Sequence, residues 1–218
     1  MELLEIMKAR HSVRQYTAAP IETEKRAALS ELAESLNREH GLHVQVLYDE
    51  PKCFDSFMAH YGKFTGVQNY IALVGPKGAK LDEKLGYAGA ALTLKAQQLG
   101  LNTCWVAMSH GKSRAAVDKG EKLVCLISLG YGETQGVEHT NKALDKVSNL
   151  SAASPDWFRA GVQAALLAPT AMNQQKFFFA LGADESVKLS CGSGFYTKLD
   201  LGIVKYYFEA ISGKTTMT

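Results

Sequence analysis

The stretch Gly100-Leu101-Asn102-Thr103-Cys104-Trp105-Val106-Ala107 is where one periodicity gives way to another. Before it, Leu85, Ala88, Ala91, Leu92, Ala96 and Leu99 recur at helical spacing, with Gly100 placed to cap the C-terminal end. After it, Thr103 to Ala107 and Leu123 to Leu129 are short apolar runs, as expected of strands covered on both faces. Upstream, Tyr70 to Val74, closed by Gly75 and Pro76, reads as a third buried strand, and His43 to Tyr48 alternates like a half-buried one. Leu4, Ile6 and Met7 suggest a short N-terminal helix. Ala28, Leu29, Leu32, Ala33 and Leu36 place a second helix from near Thr23 to Gly41.

Downstream, Gly130 to Ser154 turns polar and small, the composition of a linker. Ser154 and Pro155 then have the order of an N-cap followed by a first-turn proline, and Phe158, Val162, Ala165 and Leu166 form a helical stripe ended by Pro169. Lys176 to Leu181 is a strand, and Leu201, Val204, Phe208 and Ile211 belong to a last helix ending at Gly213. The two parts, 1–150 and 151–218, echo each other weakly: Arg26 to Leu36 aligns with Arg159 to Ala168, and Gly89 to Ala96 with Gly202 to Glu209. Few positions are identical, and chance produces such echoes in mixed chains. The two parts are expected to form one compact unit.

Composition narrows the function. Among 218 residues, 24 Lys+Arg against 22 Asp+Glu leave a formal net charge of +2, and 46% of residues are hydrophobic. That balance excludes strong bulk attraction to nucleic acid, so an anionic ligand needs a local cluster. No apolar run reaches the roughly 18 residues of a membrane-spanning helix, and Glu2 and Glu5 interrupt the start of the chain in a way unlike a signal peptide. Cys53, Cys104, Cys125 and Cys191 are widely spaced, without metal-ligand spacing, and are expected to be reduced thiols in a cytoplasmic protein. No metal site, membrane partner or nucleic-acid partner is expected.

Three segments carry chemistry. Arg10-His11-Ser12-Val13-Arg14 puts two guanidinium groups and a hydroxyl on one side of an extended backbone, a clamp suited to a phosphorylated cofactor. A solvated basic turn has the same spacing. Ala168-Pro169-Thr170-Ala171-Met172-Asn173-Gln174-Gln175 offers amide donors and acceptors beside small residues, room enough for a flat heterocycle, although a plain loop reads likewise. The end of the strand at Trp105, Val106 and Ala107 can present backbone N–H groups, while Trp105 is equally suited to core filling and Cys104 to an inert buried thiol. No serine elbow, phosphate loop or dinucleotide GxGxxG is present.

Together these segments resemble the nitroreductase family of flavin enzymes, whose pattern is RxSxR, an APSxxNxQPW turn, a helix leading to GLGTCW, and a late LGY strand. They correspond here to Arg10 to Arg14, Ala168 to Phe177, Gly100 to Trp105, and Leu129 to Tyr131. The resemblance implies an α+β, nitroreductase-like fold with a central, mainly antiparallel sheet flanked by helices. It also implies FMN as cofactor and NADH or NADPH as reductant. In the usual member the APSxxNxQPW turn follows soon after RxSxR, and two chains build each flavin site. Here the turn lies in the C-terminal part, which resembles the nitroreductase subgroup with a partial second copy fused behind the first. The expectation is therefore two pseudo-repeated halves forming a dimer-like single chain, as a monomer or a further homodimer.

The resemblance places Arg10, Ser12 and Arg14 on the phosphate, ribityl chain and pyrimidine edge, with His11 beside them. Lys142, in a counterpart of the family's RKPL, adds a phosphate contact. Pro169, Thr170, Ala171, Met172 and Asn173 line the ring, Val106 and Ala107 fall where backbone N–H groups meet flavin N5 and O4, and Trp105 counts among the cofactor-binding residues. Lys176 and Phe177 replace the family's Pro and Trp, and Asn141 replaces a basic residue. The implied activity is ping-pong hydride transfer to a nitroaromatic, quinone or similar acceptor. The chemistry is carried by flavin N5 and needs no catalytic side chain. A flavin-binding or storage protein with little turnover is the alternative.

Overall fold

The computed structural model describes residues 2–218. The chain forms two compact units, neither of them a continuous segment. A sheet unit comprises Ala9–Leu81 and Ala91–Glu138. A C-terminal unit comprises Met1–Lys8, Asp82–Ala90 and His139–Thr218.

In the sheet unit, β1 (Gln45–Leu47), β2 (Asn69–Pro76), β3 (Asn102–Val106) and β4 (Glu121–Gly130) pair antiparallel in the order β1-β2-β4-β3. This is the antiparallel sheet of the expected α+β fold. Side chains alternate across a strand, so Tyr70, Ala72 and Val74 of β2 share one face with Cys104 and Val106 of β3 and Leu126 of β4. Val13, Tyr16, Phe54 and Phe64 complete that core. Because β2 is buried on both faces, it reads as a continuous apolar run.

The helix α2 (Thr23–His40) packs on β1 and ends at Gly41, whose φ of 65° is left-handed. Strand β1 is shorter than the alternation from His43 to Tyr48 predicts. The Asn37 side chain takes both backbone groups of Val44, donating to its carbonyl at 2.8 Å and accepting its N–H at 2.7 Å, so Val44 is withdrawn from the ladder. A short helix, α3 (Phe57–Tyr61), capped by the Ser56 side chain, has no counterpart in the sequence reading. The following helix, α4 (Leu81–Gln98), is divided between the units at Ala90.

In the C-terminal unit, α1 (Leu3–Ala9) and the first half of α4 are grouped with α5 (Asp156–Leu166), the antiparallel pair β5 (Phe177–Leu181) and β6 (Val187–Cys191), and α6 (Thr197–Ser212). Phe179 stacks on Phe208 at 4.5 Å between centroids, and Phe158 meets Phe208 edge-on at 5.9 Å, joining β5, α5 and α6. Helix α6 crosses the start of α4 with backbone in contact. A Cβ on Gly202 would strike the Glu83 carbonyl, and one on Gly86 the Leu199 carbonyl. At the start of α5, Pro155 takes the cap position with extended ψ of 151°, one residue later than the sequence order suggests. The Ser154 hydroxyl accepts the Ser151 N–H at 3.0 Å and is therefore used locally. The segments paired in the half-repeat do fall on helices, on α2 and α5 and on α4 and α6, but four strands stand against two. Among the described residues no helix is long and apolar enough to cross a membrane.

Candidate functional site

The RxSxR segment is laced into the sheet unit as an extra, strand-like course beside β3. Val13 donates its N–H to the Thr103 carbonyl at 3.1 Å, Thr65 donates to the Arg14 carbonyl at 3.0 Å, and Tyr16 donates to the Thr65 carbonyl at 3.0 Å. The buried Tyr16 hydroxyl donates to the Val13 carbonyl at 2.7 Å and lies 2.8 Å from Ser128 Oγ, and burial pushes its pKa well up. Val13 and Tyr16 lie in the core, and Arg10, Ser12 and Arg14 between and before them are buried, half-buried and exposed in turn. All three act on the buried Cys104 thiol. Burial raises its pKa, while Arg14, a hydrogen bond from Ser12 and Arg10 pull it down. Arg14 is exposed, its guanidinium 5.9 Å from the Phe64 ring.

The loop after β4 closes over this segment. Asn102 fixes it, accepting the Gly132 N–H at 2.9 Å and donating to Gln135 at 3.0 Å. Gly136 then has φ of +73°, and a Cβ there would lie 2.8 Å from His11 Cβ and 3.1 Å from the Ser12 carbonyl, so glycine is required on both counts. His11 is thus packed under the loop.

Arg10 is the unusual member of the set. It is 2% exposed, and its Nε and Nη1 have no hydrogen-bond partner among the described residues; the same holds for Thr103 Oγ1 and Trp105 Nε1 on the adjacent strand. A guanidinium is always charged, and burying it unpaired is strongly unfavourable. These orphaned donors call for an anion with several acceptor oxygens, so the residues present fit the phosphate and polar chain of FMN. Trp105 is half-buried, Val106 ends β3, and Ala107 lies in the bend that follows.

The other predicted residues lie in the C-terminal unit, where α5 gives way to β5. Met172, Asn173 and Gln175 have φ of 52°, 51° and 44°, left-handed values uncommon outside glycine. Hydrogen bonds hold this turn from two sides. Asn173 Nδ2 and Gln175 Nε2 each donate to the Thr140 carbonyl at 2.8 Å, and Gln175 Nε2 also donates to Asn173 Oδ1 at 2.7 Å. Lys142, expected as a phosphate contact, donates its ammonium to the Gln174 and Gln175 carbonyls at 2.8 and 3.1 Å, and its N–H to Gln175 Oε1 at 2.9 Å. From α6, the buried Asp200 accepts the Ala171 N–H at 2.9 Å and Gln174 Nε2 at 2.7 Å. Burial pushes its pKa up to about 6 against the pull of these two bonds. Pro169, Thr170 and Ala171 are half-buried, while Met172 is 81% exposed.

Sequence reasoning missed Asp200, Thr140 and Cys104's place beneath the arginines. A signal for Asp200 was present, as it is the one charge in the apolar run Leu199-Asp200-Leu201-Gly202-Ile203-Val204. Lys176, which replaces the family's proline, donates its ammonium to the Ser193 carbonyl at 3.0 Å, and Phe177 packs edge-on to Phe179 at 5.7 Å. Elsewhere in the sheet unit His43, Asp118 and Glu121, not singled out from spacing, bring ligand atoms within 4.8 Å of one another. The Glu121 oxygen there is already shared by His43 at 2.8 Å and the Asp118 N–H at 2.9 Å.

Comparison with known proteins places the chain. A putative nitroreductase structure from Thermotoga maritima matches with a TM-score of 0.70 and 18% identity, covering 95% of this chain and 82% of that one. NADH dehydrogenase/NAD(P)H nitroreductase structures, also described as putative, match from Bacteroides thetaiotaomicron (TM-score 0.53, 20% identity, 66% of this chain and 95% of that one) and Parabacteroides distasonis (0.53, 18%, 66% and 95%). At these identities the likeness establishes the nitroreductase fold. No curated protein matches. The profile of the family described as "Putative TM nitroreductase" matches residues 2–212, nearly the whole sequence, and the chain therefore belongs to that family.

Proposed function

We propose that the chain is a cytoplasmic, FMN-dependent NAD(P)H oxidoreductase. The observation that carries this reading is the buried Arg10 guanidinium with two unpartnered nitrogens, in a chain of this family. When bound, FMN would supply the redox chemistry between NADH or NADPH and a nitroaromatic, quinone or similar acceptor.

The protein's own residues bind and orient. Arg10 would clamp the phosphate, aided by Ser12, and the exposed Arg14 would offer positive charge to the pyrimidine edge. Gly136 keeps the loop down on His11 and Ser12. Trp105 Nε1 and Thr103 Oγ1 donate to polar atoms of the cofactor, and Val106 and Ala107 offer backbone N–H groups. Pro169, Thr170, Ala171, Met172 and Asn173 would form the turn that faces the ring, and Lys142 steadies that turn through its carbonyls. One stacking face used in turn by donor and acceptor would make the kinetics ping-pong.

The test is spectroscopic. Protein loaded with FMN and mixed with NADH or NADPH without oxygen should lose its flavin bands, and initial rates against a quinone should give parallel reciprocal lines. Flavin bands that persist with both nucleotides overturn the oxidoreductase reading in favour of flavin storage. Intersecting lines overturn the shared face. Failure to bind FMN overturns the cofactor.

A further inference from the structure

We infer that Asp200 is a positioning residue for the ring-facing turn, fixing Ala171 and Gln174, which flank the left-handed Met172 and Asn173, through two hydrogen bonds accepted by one carboxylate. This rests on the flavin reading above.

The geometry is specific. The turn departs from ordinary backbone at Met172, Asn173 and Gln175, conformations that persist only where surroundings over-determine them. On one flank the Thr140 carbonyl and Lys142 supply that constraint. On the other, Asp200 is the only side chain among the described residues that accepts from both the turn's backbone and one of its side chains. Gln174 extends the link by giving its second amide hydrogen to the Phe195 carbonyl at 2.8 Å, tying the turn to the start of α6. Asp200 is only 5% exposed, so its oxygens are largely shielded from solvent.

The clamp is sensitive to protonation. An ionised carboxylate accepts at both oxygens, whereas the neutral acid keeps one good acceptor and turns the other into a donor that faces an N–H. Burial brings the switch to about pH 6, and no charged side chain contributes to it. Five charges on α6 and neighbouring elements are engaged elsewhere. Glu83 of α4 meets Lys205 at 3.4 Å and Thr218 at 2.8 Å, Arg159 of α5 donates to the Ser151 carbonyl, Lys176 before β5 to Ser193, and Glu209 of α6 accepts from Thr216.

The experiment follows riboflavin binding and the Ala171 amide resonance from about pH 7.5 to about pH 5 in the full chain and in Asp200→Asn. Riboflavin is the probe because the FMN phosphate itself ionises in this range. In the wild type, riboflavin affinity should fall about tenfold as pH drops, the loss of roughly one buried hydrogen bond. The Ala171 resonance should move with a midpoint near 6. Asp200→Asn, which keeps a single acceptor, should bind at the weak level throughout, with a flat pH profile and a stationary Ala171 signal. A wild-type affinity that does not change with pH, or an Ala171 resonance that does not titrate, overturns the inference. A titrating resonance with no flavin bound at any pH overturns the flavin reading and leaves the clamp itself standing.

Discussion

At the scale of single residues, Arg10 separates binding from stability. Its Nε and Nη1 are buried with no hydrogen-bond partner among the described residues, a costly placement for a guanidinium. Arg10→Met should therefore raise the melting temperature of the ligand-free protein while weakening FMN binding by about tenfold to a hundredfold, equivalent to roughly 1.5 to 3 kcal/mol of charge-assisted bonding. A thermal melt and a fluorescence titration of the same variant check both signs. Asn173→Ala removes the bonds to Thr140 and Gln175 and leaves alanine at a φ of 51°. It should weaken riboflavin and FMN binding to the same extent, read by parallel titrations. Asp200 bears on stability as well. Its folded pKa, about 6, lies above the ordinary 3.8, so the folded chain holds that proton more tightly than the unfolded one. The stability it contributes is complete below the ordinary value and is lost as pH rises through about 6. The loss is on the order of 3 kcal/mol. Denaturant melts should show the wild type losing stability over that window relative to Asp200→Asn.

At the scale of elements, legibility followed burial and periodicity. The long stripes of α2, α4, α5 and α6 were plain in the sequence, as were the apolar runs of β2, β3 and β4, because each is defined by a repeat of its own. Strand β1 was overdrawn, since nothing in His43 to Tyr48 reveals that Asn37 captures Val44. Helix α3 is five residues long and leaves Phe57 and Tyr61 exposed at 82% and 77%, so it has no apolar stripe to read. Strand β6 alternates buried and exposed residues from Val187 to Ser190 and was overlooked despite that pattern. In the candidate site, the motifs pointed to the binding segments, but the supports for those segments come from distant sequence. Asp200, Thr140 and Gly136 could not be connected to their partners by spacing. The crossing of α4 and α6 has a direct test. Gly202→Ala forces a methyl against the Glu83 carbonyl and should destabilise the fold by about 1 to 3 kcal/mol, measured by chemical denaturation.

At the scale of the whole molecule, the chain passes between its two units after Lys8, Leu81, Ala90 and Glu138. No single cut releases either unit intact. A fragment of residues 139–218 lacks both Met1–Lys8 and the Asp82–Ala90 half of α4, including the Gly86 that α6 approaches. It should remain largely unfolded, which circular dichroism and its amide spectrum would reveal. The same interleaving imposes an order on synthesis. Helix α1 leaves the ribosome well before most of its unit, which begins only at His139, about 130 residues later. At roughly 5 to 20 residues per second, Ile6 and Met7 wait on the order of ten seconds for the segment that completes their unit. Such an early apolar stub is a natural holding point for a chaperone, and the sheet unit, complete at Glu138, has time to fold while it waits.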